Sequence, residues 1–403
     1  MLLEFCVKNF LSIKDELKIS FVASSLKESL QKANDPVPIK ELGMDILRSA
    51  AIYGANASGK SNVLKAMAFY KDFITGSFMN SQAGAYIDVV NFRLNSTTVS
   101  QPTMMEATFC TGGNIFRYGF EVDRQAVRLE WLYQRANRKR AKEVELFYRE
   151  NDTVDVHPKC PLIQELVNRK MIRDNALILS AAAQFNDPKA VEILGWLTST
   201  QVIFCSDEDK LWEQAIRHLD DEDIRQRITD FSRYADLGID NISKIDNRIV
   251  SKHHRWDDNG NEAEEVTFSF IGDESEGTIK YFSLAYPILD ALDNGKRIFV
   301  DELDSKLHPL LIAKIISLFN SAKTNPKGAQ LLFTTHDTFL LSAGLFRRDQ
   351  IWFTQKDSFG ATKAFSLVEY KVRGGAPFER DYLQGKFGAI PLIGDIEKTL
   401  TKL

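Results

Sequence analysis

Residues 49–61 read SAAIYGANASGKS, and this stretch decides the fold. Its first five residues are small or apolar and predict a short buried strand. After Lys60 the apolar positions Val63, Leu64 and Met67 recur at helical spacing. The residues between strand and helix satisfy the pattern G-x-x-x-x-G-K-[ST]. A strand, a glycine-containing loop and a helix in this order form the arrangement that a phosphate-binding loop requires.

The loop supplies most of the predicted nucleotide ligands. Glycines let the backbone approach oxygen atoms closely, and N–H groups at the helix start point at a phosphate. Lys60 is expected to span the β- and γ-phosphates, and the Ser61 hydroxyl to ligate Mg²⁺. The alternative is a glycine-capped helix start that binds nothing. The predicted cofactors are ATP and Mg²⁺, and the predicted binding residues are Gly54, Asn56, Ala57, Ser58, Gly59, Lys60, Ser61 and Asn62.

Two further apolar segments end in chemically active side chains. Residues 298–300 are followed by Asp301 and Glu302, the form of a Walker B strand. Asp301 is expected to hold Mg²⁺ through water, and Glu302 to polarise the attacking water as a general base. Residues 331–333 lead to His336, which is placed to contact the γ-phosphate or Glu302. Each signal is common by itself, and the phosphate loop upstream gives both a catalytic interpretation.

The composition is that of an ordinary folded protein. The 403 residues are 44% hydrophobic and 26% charged, and the formal net charge is −4. No apolar run approaches the roughly 18 residues that cross a bilayer, and charges interrupt the N-terminus where a secretion signal needs an apolar core. A cytoplasmic protein with no membrane partner is expected. The near balance of 51 basic and 55 acidic residues argues against a surface that binds nucleic acid everywhere.

The four cysteines are widely separated and include no Cys-x-x-Cys pair; they are Cys6, Cys110, Cys160 and Cys205. Neither a disulfide framework nor a zinc hook is indicated. Reduced structural cysteines are expected.

The order of predicted elements divides the chain into three segments. Residues 1–125 and 265–403 alternate strands and helices, and together they would form one α/β head. Residues 126–264 are predicted to be an insertion that begins with strands and continues with helical periodicity over residues 162–234. A polar, exposed run covers residues 252–265. No heptad pattern persists, so several helices are expected rather than a coiled coil.

Seven segments make the chain resemble the RecF/SMC/Rad50-like branch of ABC ATPases, and within it the bacterial AAA15/AAA21 group, which includes RloA-type ATPases of anti-phage loci. They are LLEFCVKNFLSIKD (2–15), IYGANASGKSN (52–62), RDNALILSAAAQFN (173–186), DESEGTIKYFSLAYPILDAL (273–292), FVDELDSKLHP (299–309), GAQLLFTTHD (328–337) and GKFGAIP (385–391). The resemblance implies an ABC-type P-loop ATPase head that hydrolyses ATP and dimerises head to head around it. It also implies a sensor or regulator in anti-phage abortive infection, with a separate effector such as a Toprim-like nuclease.

The resemblance also implies a signature element, which in this family contacts the γ-phosphate held by the opposite subunit. Ser275 and Gly277 match its hydroxyl and glycine positions and are expected to bind ATP across the dimer. Glu276 departs from the family pattern, and its carboxylate is expected to point away. The alternative is that Ser275 only caps the following helix.

The resemblance is weaker after the Walker B segment. His308 stands where SMC-like proteins carry an aspartate, so His308 or Asp304 either bridges subunits or lies on the surface. No glutamine stands out as a nucleotide sensor; the weak candidates are Gln82, Gln101 and Gln134.

A basic run suggests a second partner. The run consists of Arg135, Arg138, Lys139, Arg140 and Lys142. These side chains either bind nucleic acid or an acidic protein, or they form a solvated part of the surface. The rival function is therefore a RecF-like DNA-binding repair ATPase. A nuclease within this chain is not expected, because the residues after His336 are too few for a Toprim module and contain no Asp-x-Asp pair.

Overall fold

The computed structural model describes residues 1–26, 33–39, 43–138, 140–233, 238–245, 248–370 and 376–391. The strands are β1 (Leu2–Lys8), β2 (Leu17–Ser20), β3 (Val37–Ile39), β4 (Met44–Ile46), β5 (Ser49–Tyr53), β6 (Thr103–Thr111), β7 (Asn114–Val122), β8 (Val127–Ala136), β9 (Val144–Glu150), β10 (Thr153–Val156), β11 (Thr200–Ile203), β12 (Asn241–Ile245), β13 (Arg248–Trp256), β14 (Glu262–Ser269), β15 (Arg297–Val300), β16 (Gln330–Thr334), β17 (Ile351–Lys356) and β18 (Thr362–Ser366). The helices are α1 (Lys60–Gly76), α2 (Pro161–Asn168), α3 (Ile178–Gln184), α4 (Pro188–Thr198), α5 (Glu208–His218), α6 (Glu222–Arg233), α7 (Phe270–Asp273), α8 (Glu276–Asn294), α9 (Pro309–Asn320), α10 (Phe339–Ser342) and α11 (Phe378–Leu383).

A six-stranded sheet carries the phosphate loop. Its order is β11-β15-β16-β5-β17-β18, and neighbouring strands are parallel except β17 and β18. Strands β5, β15 and β16 are buried along their whole length, as expected for a parallel sheet that is covered on both faces. Parallel pairing places the C-terminal ends of these three strands at one edge. The loops that begin at Gly54, Asp301 and Thr335 therefore start side by side.

The side chains of β5 alternate between two cores. Ala50 and Ile52 pack with α1 and with the antiparallel sheet described next. Ala51 and Tyr53 pack with α8 and α9 on the opposite face. This alternation follows from the two-residue period of a strand. The parallel sheet is thus the middle layer of the head.

The antiparallel layer has the order β10-β9-β8-β7-β6-β1-β2. The strands predicted at the start of the insertion are confirmed as β8 and β9. The three-segment division at residues 125 and 264 remains a prediction about the chain. In the structure β7 and β8, which lie on either side of the first boundary, pair within one sheet.

The middle of the chain is largely helical, as predicted, with α2 to α6 between Pro161 and Arg233. Strand β11 in this region was not predicted, and it pairs with β15 at the edge of the parallel sheet. Residues 252–265, predicted only as a polar exposed run, lie mostly in β13 and β14 of a separate three-stranded sheet. Among the described helices, none combines the length and apolar character needed to span a membrane.

Candidate nucleotide-binding site

Two threonines contact the phosphate loop and fix its conformation, Thr354 on β17 and Thr362 on β18. Gly59 has φ 107°, and a Cβ there would lie 2.1 Å from Thr362 Oγ1. A Cβ on Gly54 would lie 2.4 Å from the Thr354 carbonyl oxygen. Thr362 Oγ1 donates to the Ser58 carbonyl at 2.9 Å, and the Ser58 and Thr354 hydroxyls are 2.8 Å apart. Only glycine fits at both loop positions, which explains the motif at the level of packing.

The remaining predicted loop residues lie at its tip and on the first turn of α1. Asn56 and Ala57 are exposed, and Ala57 adopts φ 61°. Asn62 donates to Ser12 Oγ at 2.6 Å, and this hydroxyl lies 2.7 Å from Thr362 Oγ1. The exposed tip leaves backbone N–H groups accessible to an anion.

Lys60 is a buried cation that neutral acceptors surround. Its side chain donates to the carbonyls of Gly54 at 2.9 Å and Ala55 at 3.2 Å, and the residue is 5% exposed. Burial lowers the pKa of Lys60, because the charged form loses hydration. Among the described residues, no carboxylate forms an ion pair with it. The charges of Glu302, Asp301 and Asp304 oppose this lowering of the pKa, and a phosphate oxygen would add a directly paired negative charge.

The structure brings the predicted magnesium ligands together. Ser61 Oγ donates to Asp301 Oδ1 at 3.1 Å, although β5–α1 and β15 are far apart in sequence. Thr334 Oγ1 donates to the same carboxylate oxygen at 2.6 Å and accepts from the Glu302 N–H at 2.7 Å. Mg²⁺ commonly takes one or two protein oxygens and completes its shell with water and phosphate. Ser61 and Asp301 fit that requirement, and a cluster of three or more metal-binding side chains is absent from the described part of the chain.

Glu302 has an unusual backbone and one side-chain partner. Its φ is 49°, in the left-handed region. Cys205 Sγ donates to Glu302 Oε2 at 3.5 Å, the sole hydrogen bond of this carboxylate within the described ranges. Partial desolvation of the sulfur, and then the Glu302 charge, raise the pKa of Cys205 to about 11, so the thiol is protonated at neutral pH. Cys205 is exposed, unlike the buried Cys6 and Cys160.

His336 follows β16 at the same sheet edge. Its backbone N–H donates to Asp304 Oδ2 at 3.0 Å. Burial, and then the positive charge of Lys60, lower the pKa of His336. The neutral imidazole can donate or accept one hydrogen bond toward a phosphate or a water.

The predicted signature residues lie at the start of α8. Ser275 caps the helix, because its Oγ accepts from the Thr278 N–H at 3.1 Å. A Cβ on Gly277 would lie 2.7 Å from the Lys306 carbonyl oxygen, so the glycine is required by packing. Glu276 has a side chain that is 79% exposed and lies 3.6 Å from Lys306 Nζ. Within the described residues, no hydrogen bond joins Ser275 or Gly277 to the phosphate loop of the same chain.

The less certain sequence candidates lie elsewhere. His308 is exposed and caps α9 through the Leu310 N–H at 3.2 Å. Gln82 and Gln101 lie in loops, and Gln134 lies on β8 in the antiparallel sheet. The basic run forms the turn between β8 and β9, where Arg138, Arg140 and Lys142 are exposed and Lys139 lies outside the described residues.

Four residues of the site were not found from sequence: Cys205, Thr334, Thr354 and Thr362. Thr334 lies in the segment that leads to His336. The sequence signal that could have identified it is the pair of threonines, Thr334 and Thr335, at the end of an apolar strand. The positions of Thr354, Thr362 and Cys205 in the site depend on pairing between distant strands, which no local sequence pattern predicts.

The fold and this site define a P-loop ATPase head of the ABC type. The chain belongs to the AAA_21 family, described as "AAA domain, putative AbiEii toxin, Type IV TA system", whose family model matches residues 49–342. No curated protein matches the chain.

Three solved structures illustrate what the chain is similar to. The SMC head domain from Thermotoga maritima is 16% identical, with a TM-score of 0.41, and the match covers 91% of this chain and 98% of that one. The recombination mediator RecF of the RecFOR pathway is 13% identical, with a TM-score of 0.35 and coverage of 91% and 98%. The transporter component cbiO1 from Clostridium perfringens is 11% identical, with a TM-score of 0.31 and coverage of 89% and 93%.

Proposed function

We propose that this chain binds Mg²⁺–ATP and hydrolyses it at a site that a second copy of the chain completes. The observation that carries the proposal is the meeting of Ser61 and Asp301, at 3.1 Å, next to the buried cation Lys60. Oxygen ligands for Mg²⁺ and a positive charge for phosphate thus converge at the start of α1. Asp301 and Glu302 would not be expected next to a buried lysine and a serine hydroxyl if they were only two acidic residues at the end of a strand.

Each residue has a distinct task in the proposed reaction. Lys60 and the loop N–H groups bind the phosphates, and Ser61 with Asp301 holds the metal. The bound Mg²⁺ would neutralise charge on the phosphate oxygens. Glu302 orients the attacking water and accepts its proton, and His336 hydrogen-bonds the γ-phosphate or that water.

The proposal of a shared site is based on the separation, within one chain, between the phosphate loop and the predicted signature residues. Lys60 and Asp301 face the same sheet edge, whereas Ser275 and Gly277 cap a different helix and make no hydrogen bond to the loop of the same chain within the described residues. A second subunit would exclude water and present its helix N-terminus to the γ-phosphate, which strengthens each hydrogen bond there. ATP then acts as an interface ligand, and hydrolysis releases the interface.

The cellular role rests on resemblance. The RloA-type resemblance supports a sensor or regulator subunit of an anti-phage abortive-infection system, and the family description names a toxin of a type IV toxin–antitoxin system. We propose a separate effector protein, such as a Toprim-like nuclease, as the partner. Co-expression with neighbouring genes and identification of the co-purifying protein tests this assignment; recovery of the ATPase alone would count against it.

The exposed basic turn between β8 and β9 favours DNA as a second candidate partner. A RecF-like DNA-binding ATPase would bind DNA with a steep salt dependence, because each phosphate contact releases counterions. Salt-titrated binding distinguishes the two roles. Sub-micromolar DNA affinity at physiological salt with a steep slope would favour the DNA-binding function over the partner-protein function.

Mixed dimers test the shared site. Lys60→Ala removes the loop cation, Ser275→Arg blocks the signature element, and each homodimer is expected to be inactive. A heterodimer of the two variants retains one intact Lys60 opposite one intact Ser275, so hydrolysis should return. Differently tagged subunits allow verified heterodimers to be isolated. Inactive heterodimers beside active wild-type dimers would show that Ser275 does not act across the interface.

A further inference from the structure

Cys205 and Glu302 occupy equivalent positions on neighbouring strands. Strands β11 and β15 are parallel, and their last paired residues are Ile203 and Val300. Cys205 and Glu302 each lie two positions beyond that pair. The Asp301 N–H continues the pairing by donating to the Ile203 carbonyl at 2.8 Å. The sheet register therefore brings the thiol and the carboxylate to the same edge.

The thiol is the described partner that fixes the Glu302 side chain. The backbone of Glu302 is held through its N–H by Thr334 Oγ1 at 2.7 Å. The carboxylate has a separate restraint, the 3.5 Å hydrogen bond from Cys205 Sγ. The Asp301 carbonyl oxygen lies farther from the sulfur, at 3.9 Å. Because the thiol carries one proton, the nearer carboxylate is its acceptor.

The segment that carries Cys205 is anchored on both sides. Asp207 Oδ2 accepts from the Phe204 N–H at 2.9 Å and closes the turn around Cys205. Glu208, the first residue of α5, pairs with Lys306 at 3.0 Å in the loop after Asp301. Trp212 of α5 packs edge-on against Phe282 of α8, with ring centroids 5.5 Å apart. The thiol therefore lies on a segment that contacts both α8 and the loop after Asp301.

We infer that Cys205 is a positioning residue for hydrolysis, whose thiol orients the Glu302 carboxylate toward the attacking water. This inference rests on the proposed ATPase function. Cys205 touches neither the phosphate loop nor Lys60 in the described structure, so its effect falls on the chemical step rather than on ATP binding.

Kinetics of matched variants test the inference. Cys205→Ala should lower kcat by about 3- to 10-fold, the range for one lost hydrogen bond, with KM for ATP unchanged. Cys205→Ser keeps a donor and should retain most of the activity. Cys110→Ala, at a half-buried cysteine on β6, is the control and should match the wild type. Equal thermal midpoints verify that the variants are folded.

A double variant separates positioning from a structural role. In a Glu302→Gln background there is no carboxylate to orient, so adding Cys205→Ala should cause no further loss of kcat. A further loss equal to that of the single variant would overturn the inference, as would a Cys205→Ala enzyme with wild-type or higher kcat. Those results leave the ATPase function intact. A wild-type protein without ATP hydrolysis would overturn both.

Discussion

Thr334 Oγ1 donates a 2.6 Å hydrogen bond to Asp301 Oδ1, and this contact joins the ends of two neighbouring parallel strands. The same hydroxyl oxygen accepts the N–H of Glu302. One side chain therefore sets the position of the proposed metal ligand and of the residue after it. Its full burial means that water cannot replace either hydrogen bond.

Thr334→Val tests this role with little change in side-chain volume. The substitution leaves the Glu302 N–H without its partner and removes one of the two hydrogen bonds that Asp301 Oδ1 accepts, the other being from Ser61, which is expected to lower the free energy of unfolding by about 1–3 kcal/mol. It should also raise the Mg²⁺ concentration needed for ATP hydrolysis. Denaturant unfolding and magnesium titration measure the two effects.

Thr229→Val is the matched control. Thr229 is 1% exposed, and its hydroxyl has no hydrogen-bond partner among the described residues. Replacing that hydroxyl with a methyl group removes no contact and should not destabilise the protein. Equal losses of stability in both variants would show that the Thr334 network contributes nothing beyond threonine burial.

Gly59→Ala should destroy the phosphate loop by steric conflict. The added Cβ would lie 2.1 Å from Thr362 Oγ1, at a φ of 107° that alanine tolerates poorly. Gly113→Ala shares a positive φ, 73°, but its Cβ would meet no atom within 4 Å. We expect calorimetric ATP binding to be lost in the first variant and unchanged in the second. Comparable affinities would argue against close packing of the loop on β18.

Lys60→Ala should abolish ATP binding without destabilising the nucleotide-free protein. Among the described residues the buried ammonium donates only to carbonyl oxygens, so its removal relieves a desolvation cost while deleting the positive charge for phosphate. The thermal midpoint without ATP should not fall, and the rise that ATP produces in the wild type should disappear. Lys65→Ala, at an exposed position on α1, provides the control and should bind ATP normally.

Glu302→Gln should preserve ATP binding and slow turnover by at least about 100-fold, because the amide cannot accept the proton of the attacking water. Nucleotide affinity and single-turnover hydrolysis are measured separately, so that binding and chemistry are not confused. Hydrolysis at the wild-type rate would remove Glu302 from the catalytic role.

Local patterns made the centre of the fold predictable. A few consecutive residues were enough to predict each of its parts. These parts are the strand–loop–helix at residues 49–61 and the apolar strands before Asp301 and His336. Because these strands are parallel and adjacent, their loops had to meet at one edge. The contact between Ser61 and Asp301 followed from that geometry.

The rest of the site depends on pairings between distant segments. Strand β11 has four residues and directly follows a helix, so its periodicity could not be separated from that of α4. Without β11 in place, Cys205 carried no signal that distinguished it from the other three cysteines. Thr354 and Thr362 likewise acquire their roles only when β17 and β18 join the sheet beside β5.

The hydrogen bond from Thr362 to the Ser58 carbonyl of the phosphate loop has a consequence for biosynthesis. A ribosome makes Ser58 before Thr362, and 304 positions separate them. While the intervening residues are being added, the nascent polypeptide carries the nucleotide motif without the Thr362 side chain that shapes it. The shaped phosphate loop therefore forms only after β17 and β18 have been synthesised.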